Sequence, residues 1–153
     1  MNYKEDKRTK NLSLRDIHVN DWVQAWDEIT KRYTPPERIT GIFDDGTVYT
    51  MVDPEQGDPF EYDISEIDAI PIDENILKGF GFTIGEANEI CGGTTAFIFY
   101  KNIHIGHLYK FNNGHTACTV KGMDCSYMHE FCAIIYDLYS DLKLEWRGVE
   151  KNN

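Results

Sequence analysis

The side chains best suited to chemistry fall late in the chain: His104 and His107, three apart, followed by Cys118 and Cys125. Imidazole and thiolate are the donor types of a tetrahedral zinc site. Strand geometry argues against one, because residues three apart on a regular strand point to opposite faces and only a bulge at Gly106 could bring the imidazoles together. No Cys-x-x-Cys pair anchors a metal either, so the expectation is no metal and no cofactor, with His107 partly buried and hydrogen-bonded. Cys118 and His107 could instead serve as nucleophile and base, since the hairpin register expected below makes them diagonal neighbours on one face. That face is apolar, and a buried thiol is a small hydrophobe with a raised pKa, so packing is the expected role. His129 and Cys132 form an i, i+3 pair in which Cys132 belongs to a helical core stripe. No residue is assigned a catalytic role.

Carboxylates are the other reactive class. From Ile39 to Leu77 there are eleven Asp or Glu and no Lys or Arg, in a chain of 153 residues whose net charge is -11. Asp53, Glu55 and Asp58 could chelate a hard cation, but their spacing is not that of an EF-hand loop, and Pro54 and Pro59 stiffen the segment. A solvated acidic face is expected instead, with Asp44, Asp45, Asp53, Glu55, Asp58, Glu61 and Asp63 as its candidate interaction surface. Gly92-Gly93-Thr94-Thr95 and Gly79-Phe80-Gly81 lack the following Lys and Ser/Thr of a phosphate loop and read as turns. The overall charge argues against direct nucleic-acid binding. No apolar run is long enough to cross a bilayer, and the N-terminus is charged where a signal peptide is apolar, so a cytoplasmic protein with free thiols is expected.

These residues must be positioned by about 150 residues of mixed pattern. A charged tail, 1–11, is expected to fray. Residues 12–72 read as an acidic SH3-like barrel: Asp21 to Trp26 alternates as a strand, with both Trp on one face and Val23 and Ala25 on the other. Arg38 to Phe43 and Thr47 to Val52 make a hairpin about Asp44-Asp45-Gly46, and Phe60 to Ile70 returns to alternation. Trp22, Trp26, Tyr49, Phe60 and Tyr62 are candidates for an exposed aromatic strip on that barrel. Residues 73–93 hold a short helix capped by Asp73 and a connector. Residues 94–153 read as a β-meander (Ala96 to Tyr100, Ile103 to Phe111, His115 to Lys121) plus an amphipathic helix from Asp124 to Leu142. That helix has Asp124 or Ser126 as cap and a stripe of Met128, Phe131, Cys132, Ile135, Leu138 and Leu142. A two-residue turn at Asn113-Gly114 sets Tyr109 opposite Cys118 and His107 opposite Val120, with Phe97, Phe99 and Leu108 on the other face. The fold class expected is α+β.

The runs LSLRDIHVNDWVQ, GIFDDGTVY, FEYDISEIDAIPI, DENILKGFGF and SYMHEFCAIIYDL resemble successive landmarks of a family of short uncharacterised proteins of gut Bacteroidota and their phages and mobile elements. The resemblance spans Leu12 to Leu142. Its most telling piece is the strand-to-helix junction Ile70 to Leu77 followed by Gly79-Phe80, and it implies a phage or mobile-element setting without transferring site residues. The function expected is a non-enzymatic interaction protein presenting its acidic surface to a basic patch on a host protein. A different expectation is a pocket-forming protein that sequesters a small molecule, a nucleotide signal of host defence, between subunits of an oligomer, with Arg38, Lys101, Lys110 and Lys121 as its cations. A metal-dependent His and Cys enzyme is the third.

Overall fold

In the computed structural model, which describes residues 7–52 and 57–148, the chain forms two compact units, Met1–Ile70 and Pro71–Asn153. In the first, β1 (Trp22–Asp27), β2 (Arg32–Tyr33), β3 (Glu37–Ile42), β4 (Thr47–Met51), β5 (Phe60–Asp63) and β6 (Ile67–Asp68) make a curled, half-barrel antiparallel sheet. The order is β2-β1-β3-β4-β5, with β6 also on β1. β1 pairs with β2, β3 and β6, and side chains on both of its faces are covered: Trp22, Val23, Ala25 and Trp26 are all buried, where alternation alone predicts one sheltered side. The β3–β4 turn closes on Gly46 at φ +96°, a conformation that glycine reaches without steric cost. The strand expected from Phe60 to Ile70 breaks after Asp63, whose carboxylate accepts from Ser65 N at 3.0 Å while Glu66 reaches back to Asp63 N at 3.2 Å. That reciprocal cap starts a 3-10 turn, Ile64–Glu66.

The end of the expected tail is tied down rather than frayed. Lys10 O accepts from Ala69 N at 2.8 Å, and Leu12 N donates to Ile67 O at 3.0 Å. Arg8 grips the fully buried Asp68 through Nε at 2.8 Å and Nη2 at 2.9 Å, with Tyr33 donating to the same carboxylate at 2.7 Å and Asn11 at 3.2 Å. Burial pushes the Asp68 pKa up, but the bonds from Arg8, Tyr33 and Asn11 outweigh it and hold the group below its ordinary value.

In the second unit, α1 (Glu74–Gly79) begins under the Asp73 cap, which accepts from Ile76 N at 2.8 Å. The strands β7 (Thr83–Ile84), β8 (Asn88–Ile90), β9 (Gly93–Tyr100), β10 (Ile103–Phe111), β11 (Thr116–Val120) and β12 (Met123–Cys125) form an antiparallel sheet in the order β12-β11-β10-β9-β7, with β8 also on β9. The helix α2 (Met128–Leu138) buries Met128, Phe131, Cys132 and Ile135. It starts later than expected because Lys121 and Gly122, both at positive φ, make a hairpin that draws Met123–Cys125 into β12. Neither Asp124 nor Ser126 is its N-cap: Tyr127 holds that position, and Glu130 accepts from Ser126 N and Tyr127 N, each at 3.1 Å. The helix ends at Leu138, leaving Leu142 outside it. After it, Trp146 lies on α1 where Gly79 has no Cβ; one would sit 2.1 Å from the indole.

The expected register of the β10–β11 hairpin is wrong by one residue. The loop is Asn112-Asn113-Gly114, closed by Phe111 N to His115 O at 2.9 Å, with Gly114 at φ +89°. Three-residue loops of this kind put glycine in the left-handed position, so Asn-Gly here fills the end of the loop rather than the whole of a two-residue turn. Leu108 then pairs with Cys118 and His107 with Thr119. Leu108, Cys118 and Val120 are buried on one side, with Ala96 and Ile98, while Tyr109 joins Phe97 and Phe99 on the other.

The Arg8 grip on Asp68 gives a stability test. Arg8→Ala removes the cationic partner of a buried carboxylate, leaving it the bonds from Tyr33 and Asn11, and should cost about 2 kcal/mol in urea unfolding. Because the folded pKa of Asp68 is depressed below its ordinary 3.8, its contribution is present above that value and lost as pH falls through the folded value. Asp68→Asn should therefore flatten the acid limb of the stability profile. An unchanged acid limb would refute the assignment.

Candidate ligand-binding face

One extra residue in β10 sets the site. His104 pairs with Phe99 and Gly106 with Ile98, so Ile105 is the bulged residue and parity shifts between them. His104 and His107 thus share a face, with ring centroids 5.2 Å apart. Gly106 is required at the close approach to β11: a Cβ there would lie 2.1 Å from the Thr119 carbonyl oxygen.

On that face the rings are continuous. Phe97 meets His104 at 5.1 Å, His107 at 5.0 Å and Phe99 at 6.3 Å between centroids. Along β10, His107, Tyr109 and Phe111 follow at 6.3 Å intervals, and His115 continues from Phe111 at 6.0 Å. Tyr109 and Phe111 are nearly parallel, at 12°, as are Phe111 and His115, at 14°. These rings are open to solvent: Phe97 is 45% exposed and Phe111 38%, with His104 and His115 exposed and Phe99, His107 and Tyr109 half-buried. A patch of contiguous apolar rings of this kind on an outer surface marks a contact site.

The strands that carry the rings hold no carboxylate: between Glu89 and Asp124 there is no Asp or Glu, while Lys101, Lys110 and Lys121 all fall there. Lys101 sits in the β9–β10 turn and Lys121 in the β11–β12 turn, at the end of the sheet nearer His104; Lys110 is on the opposite side of the sheet, with Leu108, and Asp124, paired with Thr119 across from His107, is exposed on the side of the rings.

The zinc arrangement does not assemble. The bulge brings the two imidazoles together, but Cys118 and Cys125 lie on the opposite, buried side, paired across β11 and β12 with sulfurs 3.0 Å apart. His104 Nε2 is engaged by the Gly106 carbonyl at 3.1 Å, and among the described residues no three His, Cys, Asp or Glu are grouped to hold a metal. The Cys118 and His107 pair fails for the same reason: the one-residue correction puts them on different faces. Cys125 beside it and burial both push the Cys118 thiol far above the ordinary range, which suits packing and not nucleophilic attack.

The rings that were candidates for an exposed strip on the first unit are mostly covered. Trp22 and Trp26 are buried, Tyr49 and Tyr62 are half-buried, and only Phe60 is open. Tyr62 donates to the buried Glu37 at 3.3 Å, and burial with that carboxylate raises its pKa. Of the acidic surface, Asp44 and Asp45 stand in the β3–β4 turn and Asp63 pairs with Thr47 beside it; Glu61 is exposed on β5 and Asp58 precedes it. Asp45 accepts from Thr47 N at 2.9 Å, and Asp63 from Ser65 N, so both are held below the ordinary carboxylate pKa by backbone and hydroxyl bonds. Asp53 and Glu55 lie outside the described residues.

An open groove of about 990 Å³ in the second unit is lined by Ile72, Asp73, Glu74, Lys110 and Thr116 among others. Lys110 alone of the four proposed cations lines it, beside two carboxylates, and Arg38 donates to Asn20 at 2.9 Å within the first unit. That is poor provision for a phosphate. The signals that could have revealed the ring face in the sequence are the carboxylate-free interval and the phase of its aromatics.

Thiol chemistry tests the burial pattern. Of the four free cysteines only Cys91 is exposed, so Ellman's reagent should titrate one thiol in the native protein and four in denaturant. Rapid reaction of two or more native thiols would contradict the packing of β11, β12 and α2.

Comparison with protein-family models, with curated proteins and with solved structures finds no match to this chain.

Proposed function

We propose that the chain is a non-enzymatic binding protein whose contact surface is the ring-lined outer face of the C-terminal sheet. The observation that carries this reading is the unbroken run of seven solvent-facing rings, Phe99, Phe97, His104, His107, Tyr109, Phe111 and His115, linked at 5.0 to 6.3 Å. Aromatic side chains bury large areas at little entropic cost and dominate interface energetics. Thiols and imidazoles held on opposite sides of one sheet support a binding role over nucleophilic chemistry. The curled first unit reads as an SH3-like barrel, and a phage or mobile-element setting inside a host cell fits the sequence landmarks.

The reading is tested by what the rings do for stability. Phe97→Ala, on the open face, should change unfolding free energy by no more than about 0.5 kcal/mol, whereas Phe131→Ala in the core should cost about 3 kcal/mol or more. A loss for Phe97→Ala comparable to the core variant would make the ladder structural and remove the reading.

A second reading concerns the first unit, where Asp44 and Asp45 in the β3–β4 turn and Asp63 beside it adjoin an open aromatic, Phe43 at 46% exposure. An anchoring ring beside a charged rim is the anatomy of a protein interface, here one matched to a basic partner. Asp44→Asn with Asp45→Asn and Glu61→Gln should release a basic protein recovered from host lysate. Retention of that same protein by the triple variant would sink this second reading.

A further inference from the structure

We propose that Cys118 and Cys125 close into a disulfide as the chain folds wherever a small-molecule or protein disulfide is present to oxidise them, stapling β12 to β11 just before the chain enters α2. The backbone places the two thiols for this. Cys118 is directly opposite Cys125 across the antiparallel β11–β12 pair, and opposed residues in such a ladder have Cα atoms about 4.5 or 5.5 Å apart. Both spacings fall inside the window a disulfide spans, about 4.4 to 6.8 Å. The side chains share one face with their sulfurs 3.0 Å apart, so a bond of about 2.05 Å asks for a closing movement of about 1 Å, within reach of small side-chain rotations. The position suits a staple: β12 is a three-residue strand at the edge of the sheet, and Cys125 is its last residue. The bond would hold the open end of the hairpin, away from the Lys121-Gly122 turn.

The same geometry sets when the bond forms. Cys118 is fully buried and Cys125 is 2% exposed. Cys125 beside it and burial both raise the Cys118 thiol pKa, so the folded protein holds little of the thiolate that exchange requires. Exchange therefore precedes burial. In the folding hairpin one cysteine thiolate attacks a sulfur of the donor disulfide RSSR, and the departing thiolate RS⁻ takes up the proton that the attacking thiol lost. The second cysteine thiolate attacks the protein sulfur of this mixed disulfide and expels the other RS⁻, which is protonated in turn. Two protein thiols and one RSSR become one protein disulfide and two RSH. Once α2 has packed on β11 and β12, the bond is shielded from reducing thiols as the free pair is from oxidising ones. Where no donor is present the two groups stay packed as thiols. Cys91 is exposed ahead of β9 and Cys132 belongs to α2, so neither is a ladder partner. The bond lies on the side of the sheet opposite the rings and stands independently of the binding role.

Refolding tests this in the full-length chain carrying Cys91→Ser, which removes the exposed thiol. The reduced, denatured variant is diluted into a buffer of oxidised and reduced glutathione at about 1 mM each. Ellman's reagent in denaturant should then find one thiol where the reduced variant has three, and peptide mapping without reduction should join Cys118 to Cys125. The reduced variant kept folded in the same buffer should close the bond at least about tenfold more slowly. Closure should raise the melting temperature by about 5 °C, the scale set by so short a loop in a chain of this size. A bond to Cys132, thiols left free or capped by glutathione after refolding, a bond that lowers the melting temperature, or equally fast closure in the folded protein would overturn the proposal.

Discussion

Everything about the C-terminal face depends on the single bulged residue in β10. A strand alternates its side chains strictly, so one extra residue reverses the assignment of all those before it relative to all those after it. With Ile105 as the extra residue, Ile105 and Leu108 are both buried, and His104 and His107 both stand outside. The bulge is tolerated because Gly106, having no Cβ, lets the Thr119 carbonyl approach where any side chain would collide. Packing on the inner side supplies the reason for the rest: α2 lies against β11 and β12, Phe131 meets Phe82 edge-on at 5.3 Å, and Ala96, Ile98, Cys118 and Val120 are buried on the same side of the sheet.

The two units handle charge in opposite ways. In the first, carboxylates do local structural tasks: Asp45 and Asp63 hold turn backbone, and Asp68 draws Arg8, Asn11 and Tyr33 onto β6. Short acidic side chains are well suited to this, because they accept backbone N–H bonds two or three residues away. An acidic stretch can therefore arise from the needs of a tightly curled sheet as well as from a partner. In the second unit the strands β9 to β11 contain no carboxylate, and the rings they display face solvent without one among them.

Much of the local structure was legible in the residues themselves. Asp73 and Gly46 act as their types predict, since caps and tight turns are short-range events. The hairpin at Asn113-Gly114 was legible as a hairpin but not in register, because Asn-Gly serves two loop lengths and only pairing with β9 and β12 decides between them. The strand β12 was missed because its turn, Lys121-Gly122, has one residue that adopts positive φ unwillingly. The end of the expected tail, residues 7–11, was misjudged for a simpler reason: its charge at Arg8 finds a partner sixty residues away, while residues 1–6 lie outside the described residues.

By itself the sequence determined an antiparallel sheet with one long amphipathic helix, turns at Gly46 and Gly114, and an uneven distribution of charge. These follow from periodicity and from steric limits on φ, which act within a few residues. Tertiary structure alone decided which side of β10 became core and which became a row of open rings. Parity along a strand is fixed by register with its neighbours, and a one-residue bulge that costs little locally exchanges buried and exposed positions on one side of it relative to the other.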